Sequence, residues 1–145
     1  MILNQTNALI HFELTLLVEP VSKKNSQGLN LRGDKPRVFP SKAYQKYEQA
    51  VEGYFWQRQL RFCRARVNVK ALYYMGQDYA GRKKVDLSNL NSALHDVLVK
   101  FGVLEDDDCR IVAGTDGSRV FLPGMPGWVG PPRTELLITN LGEDE

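Results

Sequence analysis

Two cysteines and two histidines are all that this 145-residue chain holds of the side chains that build zinc sites, disulfide frameworks or thiol and imidazole catalysis. Cys63 and Cys109 stand apart with no C-x-x-C pairing, which excludes a zinc ribbon and a disulfide scaffold. They read as small buried hydrophobes, and the chain is expected in the reducing cytoplasm. No apolar run nears the roughly 20 residues that span a bilayer, so no membrane partner is expected. The opening MILNQTNALI lacks the basic start and cleavage pattern of a secretory signal. Gly28, Gly33 and Gly81 form no phosphate-binding loop. His11 and His95 have no Ser/Asp or Cys arrangement that suggests a nucleophile–base pair. His95 is expected off the apolar stripe of its helix, and both histidines in structural or exposed roles. A net charge of +2 is too small to announce nucleic-acid binding by itself.

The charge is unevenly spread, however. Basic residues gather at 32–37 (RGDKPR), 58–66 (RQLRFCRAR) and 82–84 (RKK), while acids gather at 106–108 and in the tail 142–145 (GEDE). Each basic cluster can be a solvated face or a local positive patch. Length and composition fit one domain over 1–145, with a Pro/Gly-rich excursion at 123–132.

Alternation of Phe12, Leu14 and Leu16 predicts a strand over 10–18, ended by Pro20. Residues 21–40, rich in Ser, Asn, Gly, Lys and Arg, read as a long exposed loop. Ser41 is placed to cap a helix reaching about Gln59, with Tyr44, Tyr47, Val51, Tyr54 and Phe55 on one face. Those aromatics are expected in the core and not as a base-stacking platform. Residues 67–75 (VNVKALYYM) predict a second strand. A helix over 87–100 follows, its stripe formed by Leu87, Leu90, Leu94, Val97 and Leu98, with Gly102 in the left-handed position beyond its end. Short strands are expected from about Ile111 and over 120–122, the latter after an Asp116-Gly117 turn, and a final strand over 134–140. The fold class is α+β, a compact single domain with a small mixed β-sheet packed with two main helices.

The chemistry concentrates in residues 83–112 (KKVDLSNLNSALHDVLVKFGVLEDDDCRIV). Asp86 stands at the start of the predicted helix, and Asp106, Asp107 and Asp108 stand past its end. Brought together they form an all-oxygen site suited to a hard cation, Mg²⁺, and Mn²⁺ suits the same ligands. Mutually repelling carboxylates gain from such a cation, and phosphodiester cleavage gains from the charge it neutralises. Lys83 and Lys84 beside them suit a polyanion. The alternatives are structural: Asp86 as a helix N-cap for the amides near Asn89, and the triplet as a surface turn.

This segment resembles the RusA-type Holliday junction resolvases, especially RusA-like proteins of phages and prophages. The matching elements are Asp86-Leu87-Ser88-Asn89-Leu90, Asp96-Val97-Leu98 and 102–107 (GVLEDD). Residues 20–25 (PVSKKN), 38–47 (VFPSKAYQKY) and 116–119 (DGSR) carry the likeness over about 12–122. The resemblance implies a RusA-like endonuclease domain that is Mg²⁺-dependent, acts as a homodimer and cuts opposed strands of a four-way DNA junction. Three aspartates and a helical lysine form such sites. Asp86 matches the first aspartate and Asp107 the third, with Asp106 beside it and Asp108 competing for the same role. Ser88 stands where the second aspartate belongs, and Ser92 where the lysine belongs. Asp106 or Asp116 is the candidate to restore the lost acid, and Lys83 or Lys84 the lost cation. Asp96 should face away from Asp86 by helical geometry. Lys23, Lys24, Arg82, Lys83 and Lys84 are the expected DNA contacts. The rival is a catalytically impaired protein that binds branched DNA on the same fold. A small metal-binding or protein-interaction domain unrelated to DNA is a third reading.

Overall fold

Alternation along one strand organises the molecule. In β4 (Arg66–Tyr74), Val67, Val69, Ala71 and Tyr73 are buried and their neighbours lie on the other face. The computed structural model describes residues 11–22, 27–30, 37–55, 66–79, 85–104 and 110–142. Within them β1 (His11–Leu16) pairs antiparallel with β7 (Arg133–Gly142), and β7 pairs antiparallel with β4. On its other edge β4 pairs in parallel with β5 (Val112–Gly114) and then with β6 (Arg119–Phe121). The result is a five-stranded mixed sheet.

Two helices cover one face of it. α1 (Lys42–Phe55) contributes Tyr44, Tyr47, Val51 and Phe55, and α2 (Leu87–Lys100) contributes Leu90, Ala93, Leu94, Val97 and Leu98. These pack with Leu14, Leu16, Leu136 and Ile138 and the inward residues of β4 into one core. Each such leucine or valine removed from water stabilises the fold by about 1.5–3 kcal/mol. The α+β expectation is therefore met, with the helices segregated to one side of the sheet. No helix among the described residues is long and apolar enough to cross a membrane.

Local signals act where they were expected. The Tyr44 amide donates to Ser41 Oγ at 3.2 Å, capping α1. Gly102 adopts φ +77° beyond α2. There the Val103 amide donates to the Leu98 carbonyl at 2.9 Å and the Gly102 amide to Val99 at 3.1 Å, the paired closure of a Schellman end.

Two expectations need correction, and a third lies partly outside the described residues. The long loop over 21–40 contains a hairpin, β2 (Gln27–Asn30) against β3 (Arg37–Pro40). Its strands are four residues each and carry Gly, Asn and Pro, so they give little strand signal. His95 is buried at 9% exposure, because the apolar face of α2 is wide enough to take it in. The helix predicted to Gln59 is described only to Phe55, and residues 56–59 lie outside the described residues.

Burial has a titration consequence. Tyr47 and Tyr73 lie in the core, and burial pushes both phenols well above the ordinary value. Tyr44 is raised to about 12, by burial first and then by the charges of Asp96 and Glu48. Asp96 thus faces α1 and plays a structural part. A phenol that holds its proton more tightly when folded leaves stability intact below the unfolded pKa and removes it as pH rises past that value. Denaturation midpoints are expected to be flat below about pH 10 and to fall above it. A midpoint unchanged through that range would contradict the burial of these three tyrosines.

Candidate active site

Parallel strands followed by a helix tend to gather function at their carboxyl ends, where the chain leaves the sheet and the next helix begins. Here that end is marked by Tyr74 of β4 and Phe121 of β6, with the Met75 amide donating to the Phe121 carbonyl at 3.0 Å. The register puts Leu16 of β1 opposite Thr134, and Thr134 opposite Tyr73, so β1 also ends here.

Three contacts tie the segments that leave this end. Tyr73 Oη donates to Asn91 Oδ1 at 2.6 Å in a buried bond, which fixes the second turn of α2 over the end of β4. The Gly76 amide donates to Glu19 Oε1 at 3.0 Å, and a Cβ at position 76 would stand only 2.6 Å from that oxygen. Only glycine allows the carboxylate so close. Trp128 Nε1 donates to the Met75 carbonyl at 2.9 Å. Glu19 was not singled out from the sequence. An acid between two apolar residues just before Pro20 carries no spacing signal, and only the sheet brings it to Gly76.

Asp86 opens α2 at this same end. Its backbone is extended (φ −97°, ψ 135°), and its carbonyl accepts the amides of Asn89 and Leu90, both at 3.1 Å. Its side chain makes no capping bond to the helix. Oδ2 instead accepts from Asn89 Nδ2 at 3.3 Å, and the carboxylate is exposed. The capping alternative therefore does not account for this side chain. Ser88 and Ser92 are exposed one turn apart, and Ser92 Oγ donates to the Ser88 carbonyl at 2.9 Å.

The remaining candidates divide. Asp106, Asp107 and Asp108 lie outside the described residues, as do Lys23, Lys24, Arg82, Lys83 and Lys84. The described chain approaches each basic group from the carboxyl end, through Ser22 and through Tyr79 and Val85. The acidic triplet is approached from the opposite end. Leu104 donates its amide to the Leu98 carbonyl at 3.2 Å, and the Ile111 carbonyl accepts from Val67, the second residue of β4, at 2.7 Å. With 14 residues, α2 separates those flanks from Asp86 by about 21 Å.

Asp116 also lies away from Asp86. Asn68 holds it from both sides: the Asp116 amide donates to Asn68 Oδ1 at 2.8 Å and Asn68 Nδ2 donates to the Asp116 carbonyl at 3.1 Å. Asn68 precedes Tyr74 by six residues, about 20 Å of strand. Asp116 therefore does not restore a carboxylate beside Asp86 in the same chain. Its segment is a splint: β5 and β6 are one edge strand interrupted at 115–118. Across the gap Asn68 bonds Asp116, and Ser118 Oγ accepts from the Ala71 amide at 3.0 Å.

Oxygen donors at Asp86 and Ser88 fit a hard divalent cation in kind. Among the described residues no group of three His, Cys, Asp or Glu side chains could hold one. A cation at Asp86 would need further carboxylates from outside the described residues.

Compared with known proteins, residues 18–125 match the family model described as Endodeoxyribonuclease RusA. No curated protein matches the chain.

Replacing Tyr73 with phenylalanine tests what positions Asp86. The change leaves the buried Asn91 oxygen without its donor, at a cost of about 1–3 kcal/mol. A urea or thermal midpoint equal to that of the parent protein would show that this bond does not anchor α2.

Proposed function

Since the chain belongs to the RusA endodeoxyribonuclease family, the Holliday junction resolvases of that type, we propose that it cuts four-way DNA junctions by Mg²⁺-dependent phosphodiester hydrolysis at Asp86. The observation that carries this reading is the uncapped, exposed Asp86 carboxylate at the carboxyl end of the parallel strands. Asp86 would hold the cation with Asp106 and Asp107. When bound, the cation neutralises charge on the phosphate and acidifies a water. Lys23, Lys24, Arg82, Lys83 and Lys84 bind phosphates, so affinity falls steeply with salt. The amino end of α2 adds its positive partial charge beside Asp86.

The placement of the triplet's flanks favours a site shared between two chains. Leu98, to which Leu104 is bonded, lies about 18 Å along α2 from Asp86. From Leu104 to residue 107 a fully stretched chain, at about 3.6 Å per residue, spans only about 11 Å of that distance, and it must be back at Arg110 within three more residues. A two-fold homodimer removes that demand: Asp86 of one protomer meets Asp106 and Asp107 of its partner. The same two-fold symmetry suits a junction whose opposed strands are cut in pairs.

Mixing separates the two arrangements. Asp86→Asn and Asp107→Asn proteins should each leave a synthetic junction uncut in Mg²⁺. Refolded together, they should regain single nicks, since one of the two shared sites is then intact. A mixture as inactive as its two components would place the acids within one chain. Active single variants would remove Asp86 and Asp107 from the reaction.

One observation favours the second reading, a junction-binding protein with impaired cleavage: Ser88 and Ser92 bring no charge to the exposed face beside Asp86. Installing Ser88→Asp with Ser92→Lys is expected to raise Mg²⁺-dependent cleavage by roughly ten- to hundredfold. Unchanged cleavage would mean that the serines already suffice.

A further inference from the structure

Among the large apolar side chains that stand most exposed on the described residues, Leu17 (61%), Met125 (45%) and Val129 (62%) share the carboxyl end of the sheet with Asp86. Leu17 follows β1. Met125 and Val129 lie on the 122–132 loop (LPGMPGWVGPP), which leaves β6, passes over the end of β4 and enters β7. The loop has no charged residue. The family match ends at residue 125, within this loop.

The loop is built to hold its shape. The Met125 amide donates to the Leu122 carbonyl at 3.0 Å and the Trp128 amide to the Met125 carbonyl at 3.1 Å. Gly124 and Gly127 take φ +89° and +88°, and Gly127 lies against the Phe121 ring, where a Cβ would come within 3.1 Å. Trp128 is pinned to Met75. Arg133 Nη1 donates to the carbonyls of Val129 at 2.6 Å and Pro131 at 2.9 Å. Its guanidinium lies 3.8 Å over the Tyr74 ring, which itself stacks on Phe121 at 4.8 Å. Met125 Sδ accepts from the Leu122 amide at 3.3 Å, which fixes that side chain on the loop while leaving it 45% exposed. The loop presents Met125 and Val129 to whatever approaches that end.

Resting on the nuclease reading above, we propose that this loop is a wedge that seats Met125 and Val129 against unstacked base pairs at the branch point of a DNA junction. Apolar side chains that enter a base step stabilise its opening, and a rigid scaffold spares the cost of ordering them. The branch point supplies stacked bases already interrupted. The position fits, since Asp86 lies at the same end and the chain leads from that end into both lysine-bearing segments. The wedge would supply junction selectivity, while the phosphate contacts supply affinity shared with any duplex.

The test uses the full chain in EDTA with a four-way junction carrying 2-aminopurine at the branch point, and compares it with a Met125→Ser/Val129→Ser variant. The parent should raise 2-aminopurine fluorescence, and the variant should lose most of that rise and bind the junction roughly tenfold more weakly. Binding to linear duplex should be unchanged, and the thermal midpoint should fall only slightly, because both side chains are on the surface and only the weak Leu122 amide to Met125 Sδ contact is lost. A variant that raises fluorescence as the parent does, while the parent binds and cuts junctions in Mg²⁺, overturns the wedge and leaves the nuclease reading standing. A parent that binds no junction overturns both. A variant whose solution mass is half that of the parent would show the loop to be a contact between copies, and that too overturns the wedge.

Discussion

β5 and β6 can pair in parallel with β4 only if the chain that leaves Tyr74 first travels back to the strand's beginning. α2 makes that journey. Its direction is set by the Tyr73–Asn91 bond near one end and the Leu98 carbonyl closure near the other. The chain on either side of the acidic triplet, at Leu104 and Ile111, is thereby held at the end of the sheet opposite Asp86.

The carboxyl end owes its order to bonds between residues far apart in the chain: Glu19 with Gly76, Tyr73 with Asn91, and Met75 with Trp128. Each joins a segment leaving a different strand. Several are directional bonds with at least one partner buried, so losing either partner strands a polar group in a poorly hydrated place. Rigidity is therefore concentrated where a substrate would approach.

Periodicity made much of this legible. The α2 boundaries, its Gly102 terminus, the Ser41 cap and the alternation of β4 all follow from local rules that the tertiary structure does not override. The β2–β3 hairpin was not legible, because short strands containing Gly, Asn and Pro look like loop. Burial of His95 escaped because a stripe drawn from aliphatic residues alone is narrower than the face the sheet covers. Among the candidate residues, Asp86 was legible as the opening of a helix. That its carboxylate stays free of the backbone was not, since an aspartate in that position usually caps. Asp116 looked available by composition, but its pairing with Asn68 depends on a strand forty-eight residues away. Glu19 had no sequence signal at all.

The side-chain splint between Asn68, Asp116 and Ser118 also bears on how the molecule avoids its own kind. A sheet edge with a regular row of free amides and carbonyls is a template for another strand, and long flat edges invite fibrous growth. Here the outer strand is broken into two three-residue pieces by a turn at Gly117 with φ +87°. No incoming strand can find a continuous ladder along it. Association of two copies is thus steered away from merging their sheets through that edge, toward surfaces where side chains decide the fit.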